Sequence, residues 1–416
     1  MSAVRTRSHQ ALLLNRFRRN RAAVTGTVLL ALLYGLACFA GFLAPYAGDD
    51  ADTRTTLYGP MLLGGYHAEL VGTHTFATGD GGTVELPEYI RVWRFFRGGV
   101  HFHDSDGRFR LRPHVHPLIE RVSYDAYGER HRVVAVDPSR SLPLRFLVED
   151  RRERELFSLC GLSPVRGRRH LVGLEPLPAG AGTARLYLLG SDALGRDLLS
   201  RILFGGQISL SVGLVGIAVS ISIALLVGGV AGYFGGWVDW ACMRLIELLM
   251  GIPGLYLLLT LRAVFPAELS SRETYLMIVA VLALAGWAAT GRVIRGMVLA
   301  LRQEDYVVAA RALGASHARV ILRHILPNTL SFVIVAATLL VPYYILGEVA
   351  LSFLGLGITE PDSSWGLLLK DAHNTEVLTY NPWLVLPGLF IFVAVLAFNF
   401  VGDGLRDAAD PRSATS

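Results

Sequence analysis

A polar stretch separates two long apolar runs of the chain: residues 304–328 read EDYVVAARALGASHARVILRHILPN. Four of its residues recur at the i, i+3, i+4 and i+7 spacing of one helix face. These residues are Tyr306, Ala309, Ala310 and Leu313. Gly314 can end this helix, and the pattern over 318–326 predicts a second short helix that Ser316 caps. The sequence therefore predicts a bent helix pair between two membrane spans.

The composition indicates a polytopic membrane protein. The chain has 416 residues, of which 52% are hydrophobic, and several apolar runs are long enough to cross a bilayer. The formal net charge of +5 comes from arginines, since Lys370 is the only lysine. A multi-span protein needs such residues on its cytoplasmic side, so we expect no nucleic-acid partner. The cysteines, Cys38, Cys160 and Cys242, are too scattered for a disulfide framework.

The N-terminal part predicts a basic tail and a first span. Six arginines lie within residues 1–21, and no charged side chain follows over 22–48. A cleaved signal peptide is the alternative, but its apolar core would be shorter and would end at a small-residue cleavage site. We therefore predict an uncleaved first span over 22–45, with residues 1–21 in the cytoplasm.

Residues 46–200, which we call the insert, predict a folded extracytoplasmic domain. This part holds eight of the twelve histidines and lacks a spanning run. Short alternating segments, such as 132–136, 144–148 and 185–189, are separated by proline and glycine and predict mostly β structure.

Two His-x-His pairs are the best metal-binding candidates in the insert. They are His101 with His103 and His114 with His116. On adjacent strands they could direct four imidazoles at one ion, because residues i and i+2 share a strand face. The alternative, which we favour, is an arginine-rich hairpin whose histidines are surface or hydrogen-bonded residues.

Residues 201–405 predict the other five spans and thus a helical membrane core with a β insert. The second span ends near Gly232, and the later ones cover about 239–262, 274–294, 325–348 and 377–402. Arg244 and Glu247 of the third span can pair at i, i+3. Glycines of the second span predict close helix packing. They are Gly213, Gly216, Gly228, Gly229 and Gly232.

Charge predicts the orientation of these spans. Six spans with a cytoplasmic N-terminus place the loop 302–327 and the tail 406–416 in the cytoplasm as well. Arginines concentrate around that loop, as the positive-inside rule requires. The loop also carries an apolar stripe of Val320, Ile321 and Leu322 that something must cover. Docking of a partner through a helix-in-groove contact explains the stripe; the alternative is an amphipathic pair on the lipid surface.

The sequence offers little for catalysis. A P-loop needs a lysine after its glycine-rich turn, but Lys370 follows WGLLL. Gly-x-Ser-x-Gly and His-Glu-x-x-His motifs are absent as well. We therefore expect a protein that is not an enzyme and needs no cofactor. Glu348, near the end of the fifth span, could line a translocation path or satisfy a helix or subunit interface.

The loop resembles the coupling-loop signature of permease subunits of bacterial ABC importers. Residues 309–314 read AARALG and residues 326–328 read LPN. The Glu that begins the family signature is Val308 here, and a later Ile is His324, so no role of that Glu is carried over. The resemblance implies that the loop contacts an ATPase through the first helix and the turn, whereas the second helix, 318–326, leads back into the fifth span. The residues concerned are Tyr306, Ala309, Ala310, Leu313, Gly314, Ala315, Ser316 and His317.

Three further blocks resemble oligopeptide, dipeptide and nickel permeases of the second-subunit type. They read LGSDALGRDLLSR at 189–201, EVALSFLGLG at 348–357 and GDGLRDAADP at 402–411. The resemblance is close over 186–411 and loose over 12–45. The insert departs from it, because ordinary members join the first two spans by a few dozen residues.

The resemblance implies the assembly and its location. The partners would be a second permease subunit, two cytoplasmic ATPases, an extracytoplasmic solute-binding protein and membrane lipid. The protein would be a type I importer permease of the bacterial inner membrane that passes peptides or similar small solutes, with both termini cytoplasmic. We hypothesise that the insert helps to receive the binding protein.

Two other functions are alternatives to an ABC importer permease. A stand-alone secondary transporter or channel would need charged relay residues deep in several spans. Away from their ends the spans carry few charges, namely Arg244 and Glu247, with Glu348 near the end of the fifth span. A membrane-anchored metalloenzyme built on the histidines of the insert would also need a base, which we do not find.

Overall fold

The computed structural model describes residues 15–62, 64–77, 82–95, 99–103, 109–137, 139–159, 162–174, 184–266 and 269–409. Most of the predicted basic tail, Cys160 and the end of the C-terminal tail lie outside these ranges. The described residues form an apolar helical bundle and a β-rich insert, which confirms the predicted fold class. The α-helices are α1 Arg21–Cys38, α2 Ala40–Leu43, α3 Leu198–Phe234, α4 Gly236–Gly251, α5 Gly254–Ala263, α6 Ser271–Leu301, α7 Asp305–Ala312, α8 His317–Arg319, α9 Leu330–Phe353, α10 Trp365–Lys370, α11 Thr375–Tyr380 and α12 Leu386–Ala409.

The third predicted span is broken. Two short helices, α4 and α5, replace the single helix expected over 239–262, and they are bent by 100°. Ile252 between them is extended, with φ −93° and ψ 128°, because a residue before proline, here Pro253, is disfavoured in the helical region. The described chain therefore has five helices that could span a membrane, or six if this bent pair counts as one. The expected pair within α4 is present, with Arg244 Nη1 2.9 Å from Glu247 Oε2.

The last span also begins later than the sequence predicts. The segment expected over 377–402 starts with the separate helix α11, and the apolar helical stretch runs over Pro382–Ala409. Asn381 has φ −132° and ψ 62° and ends α11 because Pro382 follows it. The membrane helix therefore ends at Ala409, four residues after position 405, where the sequence predicts the end of the helical core.

The described part of the insert consists mainly of antiparallel strands, as predicted, but the predicted β segment 185–189 forms no strand. The strands are β1 Gly64–Ala77, β2 Thr83–Phe95, β3 His101–His103, β4 Phe109–Val115, β5 Leu118–Tyr124, β6 Arg130–Val136, β7 Leu142–Leu159 and β8 Leu162–Leu174. They form sheets in the orders β1-β2, β3-β4-β7-β8 and β5-β6. The longest hairpin is β7–β8, in which Leu144 pairs with Leu174 and Phe157 with Val165.

The two ends of this β region lie side by side at its base. The amide of Met61 donates to the carbonyl of Tyr187 at 2.8 Å, and that of Leu62 donates to Leu188 at 3.3 Å. Buried side chains from both segments share one apolar cluster with strands of the insert and with Trp383 of the bundle. The insert is therefore seated on the bundle by a common core.

A buried ion-pair network fixes the start of α3. Asp192 Oδ2 accepts from Arg196 Nε at 2.7 Å and from Arg201 Nη1 at 2.9 Å. Both guanidinium groups also reach Glu360, which follows α9. Arg201 is 1% exposed, and a buried charge is tolerated only when it is paired and hydrogen-bonded. The network thus joins the end of the insert to the loop after α9.

Glycines bring the backbones of α3 and α6 into direct contact. A methyl group built on Gly228 would lie 2.5 Å from the carbonyl oxygen of Gly291, and one built on Gly232 would lie 2.7 Å from that of Arg295. Small residues allow such close approach between membrane helices. The close packing predicted for these positions is therefore present.

Replacement of Gly228 by Ala is expected to destabilise the bundle by about 1–3 kcal/mol, the usual effect of overpacking. The measurement is the Tm of the purified protein in detergent, which should fall. Gly296→Ala in α6 is the matched control, because its added methyl group meets nothing within 4 Å. The control should leave Tm unchanged or raise it, since Ala favours a helix over Gly. Equal shifts in both variants would contradict the close contact.

Candidate functional site

The loop between α6 and α9 holds one separate short helix. The first predicted helix is present as α7. The second leads back into the next span, as expected, because α8 continues through a π turn, Val320–Ile325, and a 3-10 turn, Leu326–Thr329, into α9. Ser316 precedes α8, but its side chain does not form the predicted cap hydrogen bond. Pro327 lies in the first turn of the 3-10 segment, where its missing amide hydrogen breaks no required bond. The bent pair is thus a short helix followed by the beginning of the next span.

Gly314 ends α7 as the sequence predicts. Its φ of +82° lies in the left-handed region that favours glycine. The amide of Ala315 donates to the carbonyl of Ala310 at 3.1 Å, and that of Gly314 donates to Arg311 at 3.0 Å. These two bonds form a Schellman motif, which satisfies the last carbonyl groups of the helix. The turn is consequently well defined.

The bundle itself covers most of the apolar stripe. Val320 and Ile321 are buried, in a cluster with Val307 of α7 and residues of α3 and α6. The expectation that a partner must cover them is therefore wrong, because hydropathy shows which residues are apolar but not what they face. Leu322 remains 66% exposed. Val307, which the predicted helix face does not include, is fully buried and anchors α7.

Two polar contacts hold the loop against its neighbours. The Tyr233 hydroxyl at the end of α3 lies 2.8 Å from Nδ1 of His317. Asn328 Nδ2 donates to the Tyr306 hydroxyl at 3.2 Å and to the carbonyl of His324 at 2.7 Å. The phenolic oxygen of Tyr306 accepts this bond, and desolvation raises the pKa of the hydroxyl further above its usual value. The start of α8 is therefore tied to α3, and α7 is tied to the turn before α9.

The outer side of α7 and its turn is open to solvent. Tyr306 and Val308 are about half exposed, and Leu313 is 88% exposed. Ala309, Gly314, Ser316 and His317 are exposed as well, whereas Ala310 and Ala315 are half-buried. Arg311 and Arg319 flank this surface and are also exposed. The loop thus presents an apolar surface with a basic border, on an element that its inner side holds in place.

Glu348 lies inside a helix interface. It is fully buried on α9, where Oε2 accepts from the Ser209 hydroxyl of α3 at 2.7 Å and Oε1 accepts from the Ser352 hydroxyl at 2.7 Å. The Ser209 oxygen also accepts from the amide of Trp365, at 3.1 Å. The side chain therefore joins α3, α9 and α10.

Three of the four histidines in the His-x-His pairs lie close together in the insert. His101 pairs with His114 across β3 and β4, and the rings of His101, His114 and His116 lie 5.5–6.1 Å apart. The His103 side chain is outside the described residues. Nδ1 of His116 is 2.5 Å from the carbonyl oxygen of Arg140, as expected for a hydrogen-bonded residue.

A different cluster of side chains in the insert also contains possible metal ligands. Among the described side chains, those of Asp125, Glu129 and His131 place three ligand atoms within 4.8 Å of one another. Oδ1 of Asp125 already accepts from the amides of Tyr127 and Glu129, at 2.9 and 2.8 Å. These bonds lower the pKa of Asp125 and account for the position of its carboxylate in the turn.

Several apolar spans with an anchored loop between two of them define a multi-pass membrane protein. Residues 224–415 match the family described as binding-protein-dependent transport system inner membrane component. Residues 10–60 match the N-terminal TM domain of oligopeptide transport permease C. Residues 61–223, which include most of the insert, fall outside both matches.

Two curated relatives are similar over the same part. The oligopeptide transport system permease protein OppC of Haemophilus influenzae is 43% identical over 228 residues, which cover 54% of this chain and 70% of that protein. The dipeptide transport system permease protein DppC of Bacillus subtilis is 39% identical over 252 residues, which cover 60% and 75%. A solved chain of the MetNI methionine ABC transporter aligns with 50% of this chain and 97% of its own, at a TM-score of 0.37 and 19% identity.

The chain belongs to the family of binding-protein-dependent transport system inner membrane components, and it is a permease subunit of an ABC importer. The predicted resemblance is confirmed. This assignment replaces the alternatives of a stand-alone transporter and of a metalloenzyme. It makes the protein a multi-pass transport subunit of the inner membrane.

Glu348→Ala is expected to destabilise the protein by about 1–3 kcal/mol, because the Ser209 and Ser352 hydroxyls would lose their acceptor. Glu348→Gln should keep Tm near that of the parent, since its amide can still bond to both hydroxyls. Thermal unfolding and solute uptake are measured for both variants. Normal Tm with abolished uptake in Glu348→Gln would place this residue on the transport path instead.

Proposed function

We propose that this permease pairs with a second permease subunit and transfers energy from two ATPase subunits through the loop 302–327 to a path for peptides or similar small solutes. The observation that supports the proposal is that α7 is buried against the bundle on one side and exposed on the other. Its inner side is bonded to the bundle, and its outer side is apolar and exposed. The names of the relatives, which are oligopeptide and dipeptide permeases, support the choice of solute.

The exposed side of α7 is a suitable ATPase contact. A short helix with exposed Tyr306, Val308 and Leu313 can lie in an apolar groove of a partner, and Arg311 can pair with acidic residues at the rim. The turn after α7 would complete the contact. The residues that we assign to coupling are Tyr306, Ala309, Ala310, Leu313, Gly314, Ala315, Ser316 and His317.

The inner contacts of α7 would transmit its movement. Val307 packs in the cluster that α3 and α6 share, and Tyr306 bonds to Asn328 at the start of α9. His317 bonds to Tyr233 at the end of α3. When the ATPases close on ATP, α7 would therefore pull on three spans together. Coupling requires only that ATP and solute bias the same conformational equilibrium.

The orientation follows from charge. With the loop 302–327 facing the ATPases, both termini would lie in the cytoplasm and the insert on the opposite side of the membrane. The insert would then face the solute-binding protein and help to receive it. Its broad base on the bundle supports this role, because a docking domain must transmit force to the spans.

Leu313→Asp is expected to lower solute uptake by roughly tenfold to thirtyfold, the effect of losing about 2 kcal/mol at a docking residue. The ATPase subunits should also copurify less well with the permease. Leu322→Asp is the matched control, because Leu322 is exposed on the stretch that continues into α9. The control should retain uptake and copurification. Equal losses in both variants, or normal uptake by Leu313→Asp, would refute the assigned contact.

The role of the insert can be tested separately. Because Leu62 and Leu188 are hydrogen-bonded neighbours, residues 64–183 can be replaced by a short Gly-Ser linker without separating the segments at the base. The replaced protein should keep its helical content and its ATPases. It should bind the solute-binding protein about tenfold more weakly, a loss of about 1.4 kcal/mol. Unchanged binding and uptake would exclude this role for the insert.

A further inference from the structure

An apolar groove of about 910 Å³ lies between the first span and the β7–β8 hairpin of the insert. On the helix side it is lined by residues of α1 and α2, including Leu32 and Gly35, and by Phe39 between the two helices. On the hairpin side it is lined by Leu156, Phe157 and Val165. Every lining residue is apolar or glycine, and the volume is typical of a binding pocket.

The hairpin is firmly attached beside this groove. A methyl group built on Gly41 would lie 1.9 Å from the carbonyl oxygen of Glu155, so the strand backbone rests directly on α2. The buried Arg154 guanidinium donates to the carbonyl of Ala44 at 3.1 Å and to that of Pro45 at 3.4 Å. The groove is therefore a built feature of the junction between the hairpin and the span.

The position of the groove places it at bilayer depth. Leu32 and Gly35 belong to α1, which spans the membrane, so the hairpin side of the groove lies at the same level. α1 turns Ala23, Gly26, Leu33 and Ala37 towards the protein, whereas Leu32 is largely exposed. The groove is thus continuous with the face of α1 that meets lipid tails, where an unfilled apolar space has no water to occupy it.

The charge pattern of the hairpin fits the same environment. Residues 156–165 carry no charged side chain, and over 142–174 seven arginines face four carboxylates. Arg166 and Arg168 directly follow the apolar run, are exposed, and pair only at 3.4 and 3.7 Å with Glu155 and Glu153. Arginines beside an apolar segment are typical of elements that enter a membrane interface and meet lipid phosphates.

We propose that this groove binds an acyl chain of a phospholipid from the leaflet on the insert side, and that the β7–β8 hairpin enters this leaflet. The apolar side chains Leu156, Phe157 and Val165 contact the lipid tail. Arg166 and Arg168 lie at the level of the phosphate groups. The insert is thereby anchored to the membrane as well as to the bundle.

The test replaces Phe157 by the photoreactive residue p-benzoylphenylalanine in the full chain with its partner subunits. The complex is reconstituted in bilayers of palmitoyl-oleoyl phosphatidylethanolamine and phosphatidylglycerol, illuminated and examined by mass spectrometry. A phospholipid adduct is expected at residue 157. The control places the same residue at Phe146, which is exposed on β7. Its pairing partner Val172 lies seven residues from Val165, the partner of Phe157, which is roughly 23 Å along β8, so the control should give no lipid adduct.

The outcomes decide between lipid and protein in the groove. A crosslink from residue 157 to another subunit would overturn the proposal, because a protein helix would then occupy the groove. The absence of any adduct at residue 157, or equal lipid adducts at both positions, would overturn it as well.

A second variant tests whether the groove itself holds the lipid. Gly35→Phe should fill the groove without a clash, because a methyl group added at Gly35 meets nothing within 4 Å. It should lower the lipid adduct at residue 157 about tenfold, the change expected from displacing roughly two methylene groups. Gly296→Phe, at a glycine of α6 that is equally open, should leave the adduct unchanged. An undiminished adduct in Gly35→Phe would refute binding in the groove.

Discussion

The pairing of Arg196 and Arg201 with Asp192 and Glu360 is the interaction on which the arrangement of the bundle depends. Arg201 is almost completely buried, and removing one partner from a buried ion pair typically costs about 3–5 kcal/mol because the other charge stays unpaired. The network fixes the end of the insert against the first turn of α3. It also holds the loop after α9, through Glu360, against the same turn. α3 then contacts α1, α6 and α9, so the position of its first turn determines the position of most other spans.

The same helix connects the two surfaces at which partners are proposed to bind. α3 begins beside the insert and ends at Tyr233, whose hydroxyl meets His317 in the coupling loop. With 37 residues it extends over about 55 Å, at about 1.5 Å per residue. The insert and the loop are therefore joined by one continuous element, which suits a subunit that takes a signal from one side of a membrane to the other.

The sequence predicts those features that local chemistry determines. The Gly314 turn, the Arg244–Glu247 pair and the close approach at Gly228 each follow from residue type and spacing. Features that depend on distant residues could not be predicted in this way. The cover of Val320 and Ile321 comes from α3 and α6, and the partner of Glu348 is Ser209, 139 positions away. The break before Pro253 could have been predicted, because proline disfavours the helical conformation of the residue before it. Mean hydropathy averages over many residues and does not detect a restriction at one of them.

The glycine contact between α3 and α6 has a mechanical consequence. No side chain separates the two backbones at Gly228 and Gly291, so neither helix can slide past the other without a steric clash. Residues 198–234 include no proline, so the paired glycines at 205–206 and 228–229 are the positions at which α3 could bend. At the second pair the contact with α6 holds the helix, and force applied at the end of α6 is therefore passed directly to α3. Small displacements at one membrane surface would then become a tilt whose largest amplitude lies at the opposite surface.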